Sequence, residues 1–77
     1  MAVYNDIPVR IEIMVNGLIA AKEGHNPHLA DFLGGNFSAG KMAGYFARRP
    51  KEADEALYLC KNLGVVVQEG SVWNFVK

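Results

Sequence analysis

Seventy-seven residues make one small domain, and a chain of this length buries only roughly 60% of the surface its unfolded form exposes. A hydrophobic share of 51% supplies a core and excludes wholesale disorder, while the size excludes a doubly wound nucleotide-binding domain, a TIM barrel or a two-domain enzyme. Eight basic and eight acidic side chains cancel, so no large net field draws nucleic acid or an anionic membrane.

The first residues, Met1 to Arg10, contain Asp6 and Pro8 and place no basic region before an apolar stretch. They do not read as a secretory signal. No apolar run approaches the ~20 residues that span a bilayer. A soluble, cytoplasmic protein with no membrane partner is expected. From Val9 to Val15, apolar Val9, Ile11, Ile13 and Val15 alternate with Arg10, Glu12 and Met14, and Asn16-Gly17 follows. Alternation ahead of Asn-Gly predicts a β-hairpin. A competing helix would put Ile7, Ile11, Met14, Val15, Leu18 and Ile19 on one face, completed by Ala20-Ala21-Lys22-Glu23. The β-branched residues favour strand at the start and the alanines favour helix at the end. Of the two, the hairpin is preferred.

Asn26 can cap and Pro27 can open a short helix through Leu33, ended by Gly34-Gly35. Asn36-Phe37 reads as a link. Ser38 is an N-cap for a helix from Ala39 to about Ala47, with Ala39, Met42, Ala43 and Phe46 facing inward. Gly40 and Gly44 weaken that helix by ~1 kcal/mol each, so it needs tertiary support. Pro50 opens a further helix, Lys51 to Leu63, in which Ala53, Ala56, Leu57, Cys60 and Leu63 form one apolar stripe. Glu52, Asp54 and Glu55 near its start and Lys61 near its end suit the helix dipole, and Gly64 can stop it. Val65-Val66-Val67-Gln68 and Val72-Trp73-Asn74-Phe75-Val76, joined through Glu69-Gly70-Ser71, read as a hairpin. A two-stranded hairpin is marginal alone, so it must lean on the helices or on a third strand.

From Asn26 the order is therefore short helix, link, helix, tight turn, helix, β-hairpin. Leu29-Ala30-Asp31-Phe32-Leu33, then Phe37 through Phe46, then Pro50 to Leu63 and Gly64-Val65-Val66 carry a pattern that resembles the winged helix-turn-helix superfamily. The polar cap Ser38, Ala43 one turn in, and Leu63-Gly64-Val65 before the wing hold the positions typical of it. The resemblance spans residues 26–76. It implies an α+β fold of three short helices and a C-terminal wing, preceded by an N-terminal hairpin or helix. It also implies a transcriptional regulator that binds double-stranded DNA, without enzyme activity or cofactor. The helix from Lys51 would lie in the major groove, offering Lys51, Glu55, Tyr58 and Asn62. The wing tip would offer Gln68, Glu69, Ser71 and Asn74. Lys41, Arg48 and Arg49 would meet phosphates, with Lys61 and Lys77 as additions. Residues 1–24 form an extension, and its apolar part, Val9 to Ile19, is a candidate surface for a homodimer that reads two half-sites.

Charge supports this in sign only. Residues 36–77 carry six basic and four acidic side chains, while residues 1–35 carry two basic and four acidic. Phosphate contacts dominate DNA affinity, and Glu52, Asp54 and Glu55 crowd the start of the reading helix. The alternative is a protein-binding adaptor or inhibitor, with Glu52, Asp54, Glu55 and Tyr58 facing the partner.

Other motifs have plainer readings. Gly35 through Met42 nearly spells a phosphate-binding P-loop, but Met42 stands where Ser or Thr must hold magnesium. Ser38-Ala39-Gly40-Lys41 matches Ser-x-x-Lys without the partner motifs of a serine nucleophile. His25 and His28 lack the third and fourth ligands of a zinc site. Cys60, the one cysteine, cannot form an internal disulfide, fits a reducing compartment, and reads as a small buried hydrophobe. Tyr58, Trp73 and Phe75 could stack on bases, though a domain this small needs Trp73 or Phe75 for its core. Arg48-Arg49-Pro50-Lys51 is the one basic cluster, and as a phosphate clamp it is the leading functional candidate.

Overall fold

The computed structural model describes residues 7–76. Its first regular element is a helix, α1 (Val9–Lys22), so the hairpin preferred for this stretch is corrected to the competing helix. The reason lies in what each geometry buries. As a helix, the segment sets Ile11, Met14, Val15, Leu18 and Ala21 on one side, and all five are buried. A strand would turn Met14 and Leu18 away from Ile11 and Val15. Asn16-Gly17 is not a turn but lies inside α1. A Cβ on Gly17 would stand 2.8 Å from Cζ of Phe46, so this glycine lets α1 approach the ring closely.

The remaining helices are α2 (Pro27–Leu33), α3 (Ala39–Phe46) and α4 (Pro50–Asn62). Asn26 Oδ1 accepts the Leu29 N–H at 3.2 Å and Ser38 Oγ accepts the Lys41 N–H at 3.1 Å, which caps α2 and α3 as their sequences predict. Leu29 and Leu33 of α2, Met42 and Ala43 of α3, and Ala53, Ala56, Leu57 and Cys60 of α4 are buried. Ala39 and Phe46 pack at the margin of the same core.

Three helices stop in the same way. His25 N–H bonds to Ala20 C=O at 2.8 Å, Arg48 N–H to Ala43 C=O at 2.9 Å, and Val65 N–H to Cys60 C=O at 2.8 Å. Each is the long bond of a Schellman motif, which needs a left-handed residue just before the donor. Gly24 and Gly64 fill that position for α1 and α4, at φ 84° and 81°. After α3 the position is held by Ala47 at φ 55°, where a Cβ is strained.

The strands are β1 (Asn36–Phe37), β2 (Val66–Glu69) and β3 (Val72–Phe75). They form one antiparallel sheet in the order β1-β3-β2. The segment read as a link is thus the third strand that the hairpin requires. Gly70, at φ 64°, opens the two-residue turn, the geometry of a type II′ hairpin. Register sets the faces. Phe37 pairs with Trp73 and Val66 with Phe75. Phe37, Val66 and Trp73 are buried, and the Phe37 and Phe75 rings lie 5.5 Å apart. Asn36, Val67, Glu69 and Asn74 alternate to the opposite face.

The fold is α+β: four helices and a three-stranded antiparallel sheet around one apolar core. Among the described residues no charged or polar side chain is buried, and no helix is long and apolar enough to cross a membrane. Because α1 packs on α4, the apolar stretch proposed as a dimer surface lines the chain's own core. Of its large apolar side chains only Val9 (69% exposed) and Ile13 (53%) stand clear in solvent. Residues 1–6 of the 1–24 extension lie outside the described residues.

Candidate nucleic-acid interface

The turn from α3 to α4 carries Arg48 and Arg49 with both side chains exposed. With Lys51, Glu52 and Glu55 of α4 and Arg10 of α1 they line a shallow depression of about 590 Å³. Four cations therefore meet two carboxylates. Glu52 is bound from two sides: Arg10 Nε–H donates to one carboxylate oxygen, and the Arg49 backbone N–H donates to the other at 3.4 Å. The hydrogen bond from Arg10 holds the Glu52 carboxyl below its ordinary range. Partial burial opposes that shift, while the Arg49 N–H and the charges of Arg10 and Arg48 add to it.

Along the outward side of α4, Lys51, Glu55, Tyr58 and Asn62 are all exposed and fall at spacings that share one helical face. Tyr58 is 61% exposed, and the Lys61 ammonium sits 5.4 Å from the centre of its ring. This cation–π contact commits Lys61 to α4's own surface. Of the three acidic side chains near the start of α4, Glu52 and Glu55 line the basic depression together, as expected, and Asp54 stands apart. Glu52 turns to Arg10, and Asp54 lines a second depression with Tyr58, Gln68 and Trp73, between α4 and the hairpin.

The wing residues divide between two faces. Gln68 lies beside the exposed face of α4. Glu69 and Asn74 bond to each other at 2.5 Å and line a hollow on the other side of the sheet, with Gly34, Gly35 and Asn36. Ser71 is exposed at the turn. Lys41 also stands apart from the basic depression. It is not among the residues that line that depression, and its ammonium lies 5.5 Å from the Phe32 ring centre. Lys77 lies outside the described residues. The structure thus gathers Arg48, Arg49, Lys51, Glu55, Tyr58, Asn62 and Gln68 along one side of α4, and it adds Arg10. Sequence reading missed Arg10 because it lies 42 positions from Glu52. Only the helical reading of α1 sets it beside Ile11 and Met14, at the edge of the buried stripe.

The other candidates have structural roles. Ser38 is the cap of α3. Cys60 is wholly buried, its Sγ is 3.9 Å from the Val15 carbonyl, and burial pushes its pKa up to about 12, so it stays a thiol at neutral pH. His25 and His28 are exposed, and among the described residues no group of three or more His, Cys, Asp or Glu side chains could hold a metal ion. Trp73 is in the core and Phe75 packs beside Phe37, which leaves Tyr58 as the exposed ring of the stacking set.

No known protein family matches the chain, and no curated protein or solved structure matches it.

Proposed function

We propose that this protein is a winged helix-turn-helix domain that binds double-stranded DNA through α4 and acts as a transcriptional regulator without catalysis or cofactor. The element order α2-β1-α3-α4-β2-β3 and the sheet order β1-β3-β2 support the winged reading. The observation that carries the DNA reading is the junction of two surfaces. The exposed stripe Lys51, Glu55, Tyr58 and Asn62 begins at the depression where Arg10, Arg48, Arg49 and Lys51 converge. A helix whose first turn meets phosphates can present the following turns to base edges. Asn62 can donate to and accept from adenine, and Glu55 can accept from cytosine. Gln68, across the Tyr58 hollow, is the wing's contribution on that side.

Titration of the full chain with a random-sequence duplex tests this. Binding is expected at low salt and is expected to weaken steeply as salt rises. Replacing both Arg48 and Arg49 with alanine should reduce the slope of log affinity against log salt by about 1.8, roughly 0.9 for each phosphate left without its cation. Absence of binding at low salt overturns the reading.

The zero net charge and the three carboxylates in the first turns of α4 favour a second reading, a protein-binding adaptor or inhibitor. On that reading Asp54, Glu55 and Tyr58 face a protein partner, and the duplex titration stays flat. A homodimer has Val9 and Ile13 of α1 to build on. Sedimentation as a monomer at high micromolar concentration would remove it.

A further inference from the structure

Arg10 belongs to α1, outside the elements that make up the winged pattern, yet its guanidinium reaches the phosphate-facing corner of the domain. Its side chain is 48% exposed and that of Glu52 is 20% exposed. One of its five N–H donors, Nε–H, is held by Glu52. Glu52 also occupies the Arg49 backbone N–H. A carboxylate therefore sits on two donors that converge with Arg48 and Lys51 on one depression, and these are the donor types that take a phosphate oxygen. Exposed ion pairs are weakly held because water solvates both partners well, so another anion can exchange for this one.

We propose that Arg10 is a phosphate-binding residue held in reserve by Glu52. The carboxylate keeps the guanidinium folded against α4 in the free protein, and a DNA phosphate takes the guanidinium over on binding. This rests on the DNA reading above and assigns to α1 a part in the same interface. The exchange also gives the site a threshold. An isolated anion must displace Glu52 for one contact, whereas a phosphate backbone engages Arg48, Arg49 and Lys51 at the same time.

The test is the duplex titration over a series of salt concentrations, with wild type, Arg10→Ala and Glu52→Gln. Urea unfolding of each variant checks that the domain remains folded. Arg10→Ala is expected to lower affinity and to flatten the salt slope by about 0.9, the value for one phosphate contact. Glu52→Gln is expected to tighten binding about fivefold, the size of one unit-charge repulsion at contact distance in water. A guanidinium that only braces α1 on α4 would lower stability in Arg10→Ala and leave the slope unchanged, and that result overturns the proposal. So does Glu52→Gln binding no more tightly than wild type. Either result in a wild type that binds leaves the DNA reading standing. No binding by wild type at low salt overturns the DNA reading and this proposal with it.

Discussion

α1 and α4 have almost the same length, fourteen and thirteen residues, and lie against each other, yet they are built on opposite plans. α1 is apolar on both sides. Ile11, Met14, Val15 and Leu18 fill the core, and Val9 and Ile13 face solvent. α4 is divided. Its inner side is mostly small, with Ala53, Ala56 and Cys60 around Leu57, and its outer side carries Lys51, Glu55, Tyr58 and Asn62. Small residues on α4 let the bulky side chains of α1 close the interior. The wide helix supplies bulk, and the divided helix supplies a surface. Changes inside the contact should therefore act on stability and changes on the far side of α4 on binding alone.

The largest expected effect is at the contact itself. Leu18→Ala on α1 and Leu57→Ala on α4 each remove a fully buried side chain and should each cost about 2–5 kcal/mol in urea unfolding. A loss well under this at Leu18 alone would mean that α1 is dispensable to the core. Next is the end of α3. Ala47→Gly relieves a left-handed alanine in a position that glycine fills after α1 and α4, and it should stabilise by about 1 kcal/mol. The Arg10–Glu52 pair ties the same two helices at their edge. The Glu52 carboxyl is depressed in the folded state, so its contribution is complete above the ordinary glutamate range and is lost as pH falls through the folded value. Glu52→Gln should abolish that part of the acid dependence, as read from unfolding curves across acidic pH. The smallest effects belong to the outer sides. Tyr58→Ala and Ile13→Glu should each shift stability by less than about 0.5 kcal/mol. A larger loss at Ile13, or a changed sedimentation coefficient, would show that the outer side of α1 is covered by another molecule.

The contrast between the helices also decides what sequence can disclose. α4 has one apolar stripe, a proline at its start and a glycine after its end, and each feature is local, so its position is legible within a residue or two. The caps of α2 and α3 are legible for the same reason. α1 is not, because a segment apolar on two sides satisfies strand alternation and helical periodicity together. Asn16-Gly17 then tips the balance toward a turn, while the glycine's actual role is contact with Phe46, which lies in another element. β1 is only two residues long and exists through pairing with β3, whose Asn74 lies 38 positions beyond Asn36. In the candidate interface, the stripe on α4 and the cluster Arg48-Arg49-Lys51 are written in consecutive turns and are open to reading. Arg10 is not, since tertiary packing alone brings it to Glu52. Nor is the division of the wing, where Gln68 and Glu69 face opposite ways because strand side chains alternate about a register that only the sheet defines.

The burial of Cys60 has one more consequence. Its sulfur lies under α1, close to the Val15 carbonyl, and a thiol reagent in solvent can meet it only when α1 lifts from α4. The chain thus carries an internal clock. The labelling rate of its one sulfhydryl counts how often that pair of helices parts, with no cysteine needing to be introduced.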